Sequence, residues 1–217
     1  MAEAKSNELS TVTLKTGFDS SDDEGEINAS PFNISWLELN SGEGDDRLGI
    51  SGLPGCRFKD TWRSLEHDIK SLQSEGVGCV FSLCSKGELN KYRVPNLLTE
   101  LTATGIDVHH YPFLDGTAPN IATMLKIVDD IVLAVRNGKS PLVHCFGGLG
   151  RSCLVAVCTL LILDESLKAE EAIFKVRELR GPGAIQSVKQ YNYACEYRSL
   201  MKTYREENES EARSISR

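Results

Sequence analysis

The stretch PLVHCFGGLGRS, residues 141–152, decides the fold of this chain. Leu142 and Val143 predict the end of a buried strand, and three glycines follow within four residues. From Cys153 the next eleven residues are almost all apolar and predict a buried helix. A strand, a glycine-rich turn and a helix that begins at Arg151 form a cradle for an anion, because backbone N–H groups converge there and the helix dipole favours negative charge.

Cys145 and Arg151 supply the chemistry of this cradle. A cysteine at such a point is favoured as a thiolate, and an arginine six residues later offers a planar fork for two phosphoryl oxygens. We therefore predict that Cys145 attacks phosphorus; a buried thiol in a glycine turn, without chemistry, is the alternative. The phosphate is expected to be bound by Arg151 and by the loop residues Phe146, Gly147, Gly148, Leu149 and Gly150.

Three further side chains are assigned roles. Asp115 follows a predicted strand over 106–111 and lies in a turn thirty positions before the cysteine, which suits a general acid that later acts as base; a turn or helix-capping aspartate is the alternative. Ser152 is predicted to donate a hydrogen bond to the cysteine sulfur, and it also suits a helix cap. His144 is expected to support the loop through hydrogen bonds, or to be a satisfied core histidine.

Composition narrows the class of protein. The 217 residues are 41% hydrophobic and 25% charged, with a net charge of −7 that argues against general nucleic-acid binding. No apolar run approaches the ~20 residues that span a bilayer, and the opening residues 1–10 carry no secretory signal. Neither a metal nor a cofactor is expected. We expect reduced thiols and a cytoplasmic monomer, with a perinuclear or nuclear location as an alternative.

Charge and periodicity predict one domain between two tails. Residues 1–30 contain seven acids and two lysines and are predicted to be a disordered acidic tail. The domain is expected over 31–207, and residues 208–217 are expected to be a flexible tail. A helix is predicted from Asp60 to about Glu75. Short buried strands that alternate with helices predict an α/β fold, in which helices cover both faces of a mostly parallel central sheet.

The segment HCFGGLGRS, residues 144–152, resembles the active-site signature of the protein tyrosine and dual-specificity phosphatases. Further segments resemble the branch of that family that acts on cyclin-dependent kinases: GELNKYRVPNL over 87–97, the loop around Asp115, LRGPGAIQ over 179–186 and QYNY over 190–193. The resemblance implies a dual-specificity phosphatase fold. It also implies that Cys145, Arg151 and Asp115 are the nucleophile, the phosphate-binding arginine and the general acid.

The same resemblance implies a substrate and two supporting residues. The substrate would be the phosphorylated threonine in the activation segment of a cyclin-dependent kinase, whose dephosphorylation restrains the cell cycle. Gln186 matches a water-positioning glutamine, with Gln190 as a second candidate. Cys84 resembles a cysteine that forms a disulfide with the nucleophile in some relatives; an inert core thiol is the alternative.

The loop's own side chains favour a single phosphate on a protein. Phe146 and Leu149 are uncharged, whereas a loop for phosphoinositides or RNA triphosphates is expected to add basic side chains. Two other functions stay open at this point. One is a different cysteine-loop enzyme, such as a rhodanese-like sulfur transferase or an arsenate reductase. The other is a kinase-binding inhibitor module whose catalysis is incidental.

Overall fold

The computed structural model describes residues 26–39 and 46–215, the last five by their backbone alone. The predicted disorder of residues 1–25 therefore lies outside the described residues. The described elements, in chain order, are β1 Ser35–Glu38, β2 Arg47–Ser51, β3 Arg57–Phe58, β4 Thr61–Trp62, α1 Leu65–Ser74, β5 Val77–Ser82, α2 Lys86–Lys91, α3 Leu97–Ala103, β6 Asp107–His110, α4 Ile121–Arg136, β7 Ser140–His144, α5 Arg151–Leu163, α6 Ala169–Arg180 and α7 Val188–Ile215.

Five strands form the central sheet in the order β1-β2-β7-β5-β6. β2, β7, β5 and β6 run parallel to one another, and only the edge strand β1 is antiparallel to its neighbour. β7 lies in the middle, so its carboxyl end delivers Cys145 to the centre of the sheet edge, where ligands bind in open α/β sheets. The predicted α/β class with a mostly parallel sheet is confirmed.

Helices cover both faces of this sheet. Side chains alternate across a strand, and accordingly Val143 belongs to the core cluster that contains residues of α4, α5 and α6, while the adjacent Leu142 belongs to the cluster that contains residues of α1 and α3. α5 is buried from Arg151 to Leu161 because α4, α6 and α7 surround it. A helix buried on all sides explains why its sequence is apolar without a polar face.

The helix predicted from Asp60 begins later, at Leu65. Residues 61–62 instead form β4, which pairs with β3 across a two-residue turn. The Trp62 indole N–H donates to the Lys59 carbonyl at 2.7 Å and closes this turn, so Trp62 belongs to the hairpin and not to a helical stripe. Ser64 supplies the cap, since its hydroxyl accepts the His67 N–H at 3.4 Å.

Described residues next to both predicted tails have defined structure. Residues 28–30 contact the β3–β4 hairpin: the Asn28 N–H donates to the Trp62 carbonyl at 2.7 Å, and Arg63 donates to the Ser30 carbonyl at 2.8 Å. α7 continues to Ile215, through most of the stretch for which a flexible tail is predicted. Its end is rich in glutamate and other good helix formers, which favours continued helix.

Candidate active site

The catalytic loop connects β7 to α5 and holds Cys145 in a buried position, with 2% of the residue exposed. The Cys145 sulfur lies 3.3 Å from the Ser152 hydroxyl. Gly150 is the N-cap of α5, so Ser152 does not serve as its cap. The contact therefore agrees with the role predicted for Ser152, which is a hydrogen bond to the sulfur.

Gly148 fixes the shape of the loop. Its φ is +68°, and a Cβ added there would lie 2.6 Å from the Ser51 carbonyl oxygen and 2.5 Å from the Arg180 guanidinium. The Gly148 carbonyl accepts a hydrogen bond from Arg180 Nε at 3.1 Å. Both the backbone angle and the close approach of β2 require glycine here.

The backbone N–H groups of the loop are the predicted donors to phosphate. None of the five N–H groups from 146 to 150 donates a hydrogen bond to another described residue. The carbonyls at four of these positions accept hydrogen bonds: Phe146 from Leu53 at 3.0 Å, Gly148 from Arg180 at 3.1 Å, Leu149 from Ile185 at 2.9 Å and Gly150 from Leu154 at 3.0 Å. The loop is thus held from outside by its carbonyls, which leaves its donors for an anion.

The Arg151 side chain is fully buried and joins three parts of the site. Its Nη1 lies 3.0 Å from the carbonyls of Leu83 and Phe113, and the two terminal nitrogens bind the Glu88 carboxylate at 2.6 and 3.0 Å. Its Nε lies 3.1 Å from Asp115 Oδ1 in an ion pair without hydrogen-bond geometry. Burial alone would lower the pKa of Arg151, but the Glu88 hydrogen bonds and the nearby thiols raise it, so the guanidinium stays charged.

Sequence reasoning assigned no role to Glu88, although it sits inside one of the segments that carry the resemblance. Ser85 and Glu88 form a capping box at the start of α2, and the same carboxylate pairs with Arg151. Burial acts to raise the pKa of Glu88, but hydrogen bonds from Arg151 and Ser85 outweigh it and hold that pKa below its usual value. The Ser-x-x-Glu spacing could have predicted the cap. Nothing local signals a partner 63 positions away.

Asp115 lies beside Arg151, where the sequence predicts the general acid. Its side chain is 60% exposed, so the carboxyl group reaches both the catalytic loop and solvent. The following residues hold its loop to the start of α7: Ser187 donates to the Gly116 carbonyl at 2.7 Å, and Gln190 donates to the Thr117 carbonyl at 3.3 Å.

Both glutamines considered for water positioning border the catalytic loop. A Cβ built on Gly150 would lie 3.0 Å from Gln186 Oε1 and 3.2 Å from Gln190 Nε2. Gln186 is exposed, whereas Gln190 is fully buried and its Oε1 has no hydrogen-bond partner among the described residues. The site therefore contains both candidates, and the assignment of the water-positioning role stays a prediction.

His144 and Cys84 lie behind the loop. Burial lowers the pKa of His144 to about 4, so its ring is neutral at physiological pH. A hydrogen bond with the Cys145 backbone acts against this decrease in pKa, although neither ring nitrogen meets full hydrogen-bond geometry with a described residue. The supporting role of His144 stays a prediction. Cys84 is a buried free thiol whose pKa is raised by burial, and Cys145 is also free. A disulfide between them stays a prediction.

The Phe146 side chain belongs to an aromatic cluster beside the catalytic loop. Its ring stacks on Tyr92 with centroids 4.0 Å apart and meets Phe58 edge-on at 5.9 Å. Phe146 therefore contributes its backbone to the cradle and its ring to a neighbouring aromatic cluster.

The described residues contain no group of three or more side chains arranged to bind a metal. No helix in 26–39 or 46–215 combines the length and the apolar character needed to cross a bilayer.

Solved structures place this fold and loop in a known class. A crystal structure of kinase associated phosphatase, with its catalytic-site cysteine replaced by serine, has a TM-score of 0.76 and 46% identity, covering 79% of this chain and 97% of that one. Tk-PTP in its active form has a TM-score of 0.58 and 30% identity, covering 75% and 95% of the two chains. The chain is thus a protein phosphatase of the protein tyrosine and dual-specificity class, as the resemblance implied.

Sequence comparisons give a narrower assignment within this class. The family model for Cyclin-dependent kinase inhibitor 3 (CDKN3) matches residues 9–173. Cyclin-dependent kinase inhibitor 3 of Homo sapiens is 46% identical over 201 residues, which are 92% of this chain and 95% of the relative. This chain belongs to that family. Protein tyrosine phosphatase type IVA 3 of Bos taurus is more distant, at 32% identity over 62% of this chain and 72% of its own length.

Proposed function

We propose that this chain removes the phosphate from the activation-segment threonine of a cyclin-dependent kinase and thereby restrains the cell cycle. Phosphoserine and phosphotyrosine are the further substrates of its dual specificity. The observation that carries the proposal is the convergence of Cys145, Arg151 and Asp115 on a loop whose N–H groups have no partner among the described residues. The names of the family and of the kinase associated phosphatase support a kinase as the partner.

The first chemical step forms a thiophosphate-enzyme intermediate. The Cys145 thiolate attacks phosphorus, an S–P bond forms, and the P–O bond to the threonine breaks. Arg151 Nε and the loop N–H groups bind the phosphoryl oxygens, where negative charge builds up. Asp115 Oδ1 lies 3.1 Å from Nε, so a phosphoryl oxygen on Nε takes the place of this carboxyl group, which is then available to the leaving oxygen. Asp115 then transfers its proton to that oxygen.

The second step hydrolyses the intermediate. Water attacks phosphorus, and the Asp115 carboxylate accepts its proton, since the same group must serve both directions. The S–P bond breaks and Cys145 leaves as a thiolate, which the Ser152 hydroxyl stabilises across 3.3 Å. Gln186 or Gln190, whose side chains border Gly150, orients the water.

The decisive experiment uses a phosphorylated cyclin-dependent kinase and measures loss of phosphothreonine. Cys145→Ser is expected to abolish phosphate release while retaining substrate binding. The matched control is Cys195→Ser, which removes an exposed thiol on α7 and is expected to keep full activity. Turnover by clean Cys145→Ser protein would contradict the proposal, as would turnover of thiosulfate or arsenate without phosphatase activity.

A kinase-binding inhibitor with incidental catalysis is the second candidate, and the word "inhibitor" in the family name favours it. It predicts a complex that persists with the unphosphorylated kinase and suppresses kinase activity in the Cys145→Ser variant. The phosphatase proposal predicts a complex that weakens once the phosphate is removed. A monomeric state and a cytoplasmic, perinuclear or nuclear location complete the proposal and are tested by sedimentation and by imaging of the tagged protein.

A further inference from the structure

A cavity of about 290 Å³ lies between the catalytic loop, the β3–β4 hairpin and residues 32–33, which precede β1. Phe146 and Gly147 form its wall on the side of the loop, and Arg180, the last residue of α6, forms part of another wall. We call it the Arg180 cavity. Its volume is at the lower limit of the about 300–1,000 Å³ that is usual for ligand pockets. The cavity therefore has room for one side chain rather than for a cofactor.

Arg180 gives this cavity a positive charge that no acid balances. Its half-buried guanidinium donates to two neutral oxygens, the Gly148 carbonyl at 3.1 Å and the Ser35 hydroxyl at 3.0 Å. No carboxylate of a described residue lies within 4.0 Å of it. The second arginine of the cavity, Arg63, is paired with Asp68 at 2.7 Å. Because a charge that is removed from water is costly without a partner, the cavity favours an anion.

The rest of the lining is apolar or neutral. Phe32, Leu53 and Cys56 are buried, and none of the described residues that line the cavity is acidic. Burial, with a smaller effect of Asp68, raises the pKa of the Cys56 thiol to about 11, so this thiol adds no negative charge at physiological pH. An apolar wall beside a guanidinium fits a carboxylate on a short methylene stem, which is the chemistry of an acidic side chain.

The cavity shares Gly147 with the phosphate-binding loop. Gly147 is exposed, and its N–H is one of the loop donors without a partner among the described residues. Each residue of an extended peptide advances the chain by about 3.3–3.6 Å. A substrate whose phosphate binds in the loop therefore brings side chains close to the phosphothreonine within reach of the cavity.

We propose that the Arg180 cavity binds the carboxylate of an acidic side chain near the phosphothreonine and thereby selects protein substrates that carry one. Arg180 Nη2 has no hydrogen-bond partner among the described residues and is the donor that we assign to this carboxylate. The inference rests on the proposed phosphatase function, since the phosphate must occupy the loop before its neighbour reaches the cavity.

Paired phosphothreonine peptides test the selection, with Glu or Gln at each position near the phosphothreonine. At one position Glu is expected to lower KM about tenfold relative to Gln, the size of one charge-assisted hydrogen bond, with kcat unchanged. Turnover of the peptides without such a position would refute the inference alone. Absence of turnover for every peptide and for an aryl phosphate would refute the proposed function as well. Equal slowing of both peptides by succinate, without a preference for Glu, would assign the cavity to a free carboxylate and also overturn the proposal.

Two variants test whether the preference depends on the charge of Arg180. Asn33→Asp adds a carboxylate to the lining and keeps the contacts of Arg180 with the loop, and it is expected to abolish the preference for Glu. Arg180→Met is expected to do the same. Because Arg180→Met also releases the Gly148 carbonyl, the readout is the ratio of the Glu and Gln KM values within each variant.

Arg136→Met is the matched control, because Arg136 is an exposed arginine in the last turn of another helix, α4. It is expected to retain the preference for Glu. A preference that persists in Asn33→Asp would overturn the proposal, and so would one that persists in Arg180→Met.

Discussion

Replacing Glu88 by alanine is expected to lower kcat/KM by about 30- to 150-fold. The Glu88 carboxylate makes contacts of 2.6 and 3.0 Å with Arg151, and its side chain is 21% exposed. Breaking a buried ion pair costs about 3–5 kcal/mol. We expect about 2–3 kcal/mol here, since Glu88 is partly exposed and Arg151 keeps the carbonyls of Leu83 and Phe113. Since 1.36 kcal/mol corresponds to a tenfold change in rate, a cost of about 2–3 kcal/mol corresponds to a decrease in kcat/KM of about 30- to 150-fold.

Glu88 also caps α2, and a matched variant separates the two roles. Ser85→Ala removes the hydroxyl that accepts the Glu88 N–H at 3.2 Å but leaves the contacts of the carboxylate with Arg151. It is expected to lower the free energy of unfolding by about 1 kcal/mol, with kcat/KM unchanged within about threefold. Glu88→Gln keeps the side-chain length and loses the charge, and we expect an intermediate decrease of about tenfold, as for one charge-assisted hydrogen bond.

The assay measures kcat/KM for a small aryl phosphate and the inhibition constant of inorganic phosphate, together with thermal unfolding of each variant. If Glu88 positions Arg151, inorganic phosphate is expected to inhibit the two Glu88 variants more weakly than the unmodified enzyme. Its inhibition of Ser85→Ala is expected to be unchanged. Equal activity losses in Ser85→Ala and Glu88→Ala would refute the reasoning, because Glu88 would then act only as a helix cap.

Three other substitutions test the site and its support. Asp115→Ala is expected to slow phosphothreonine turnover about 10²- to 10⁴-fold and an aryl phosphate with a good leaving group much less; equal slowing in a steady-state assay would contradict its acid role. Gly148→Ala is expected to abolish phosphate binding in calorimetry because the added Cβ meets the β2 backbone, whereas Gly147→Ala, with open space around its Cβ, is expected to retain it. Asp68→Ala leaves the mostly buried Arg63 without its carboxylate partner and is expected to cost about 3–5 kcal/mol in urea unfolding; a loss below about 1 kcal/mol, the size of a surface pair, would count against it.

The sequence predicts the central part of the site because its signals are local. Leu142 and Val143 lie on a buried strand, the glycines require a tight loop, and the apolar run from Cys153 forms the buried helix α5. The start of α4 is equally predictable, since the Asn120 side chain caps the first turn. In each case, neighbouring residues determine the backbone conformation that the structure shows.

The remaining features depend on contacts that no local pattern encodes. Trp62 has the spacing of a helical residue but closes a hairpin, because its indole finds the Lys59 carbonyl three positions away. Glu88 reaches Arg151 only because β5 and β7 are neighbours in the sheet. Residues 186 and 190 both approach Gly150, so spacing alone did not select one of them.

The Arg180 guanidinium connects the catalytic loop to the edge strand β1. It donates to the Gly148 carbonyl at 3.1 Å and, 145 positions back along the chain, to the Ser35 hydroxyl on β1 at 3.0 Å. Contacts between such distant residues form late in folding, because the cost of closing the intervening chain is met first. During refolding, phosphate binding should therefore return after secondary structure. In the folded protein, local opening of β1 should release the loop without unfolding the core, so amide exchange at the loop should follow exchange at this edge strand.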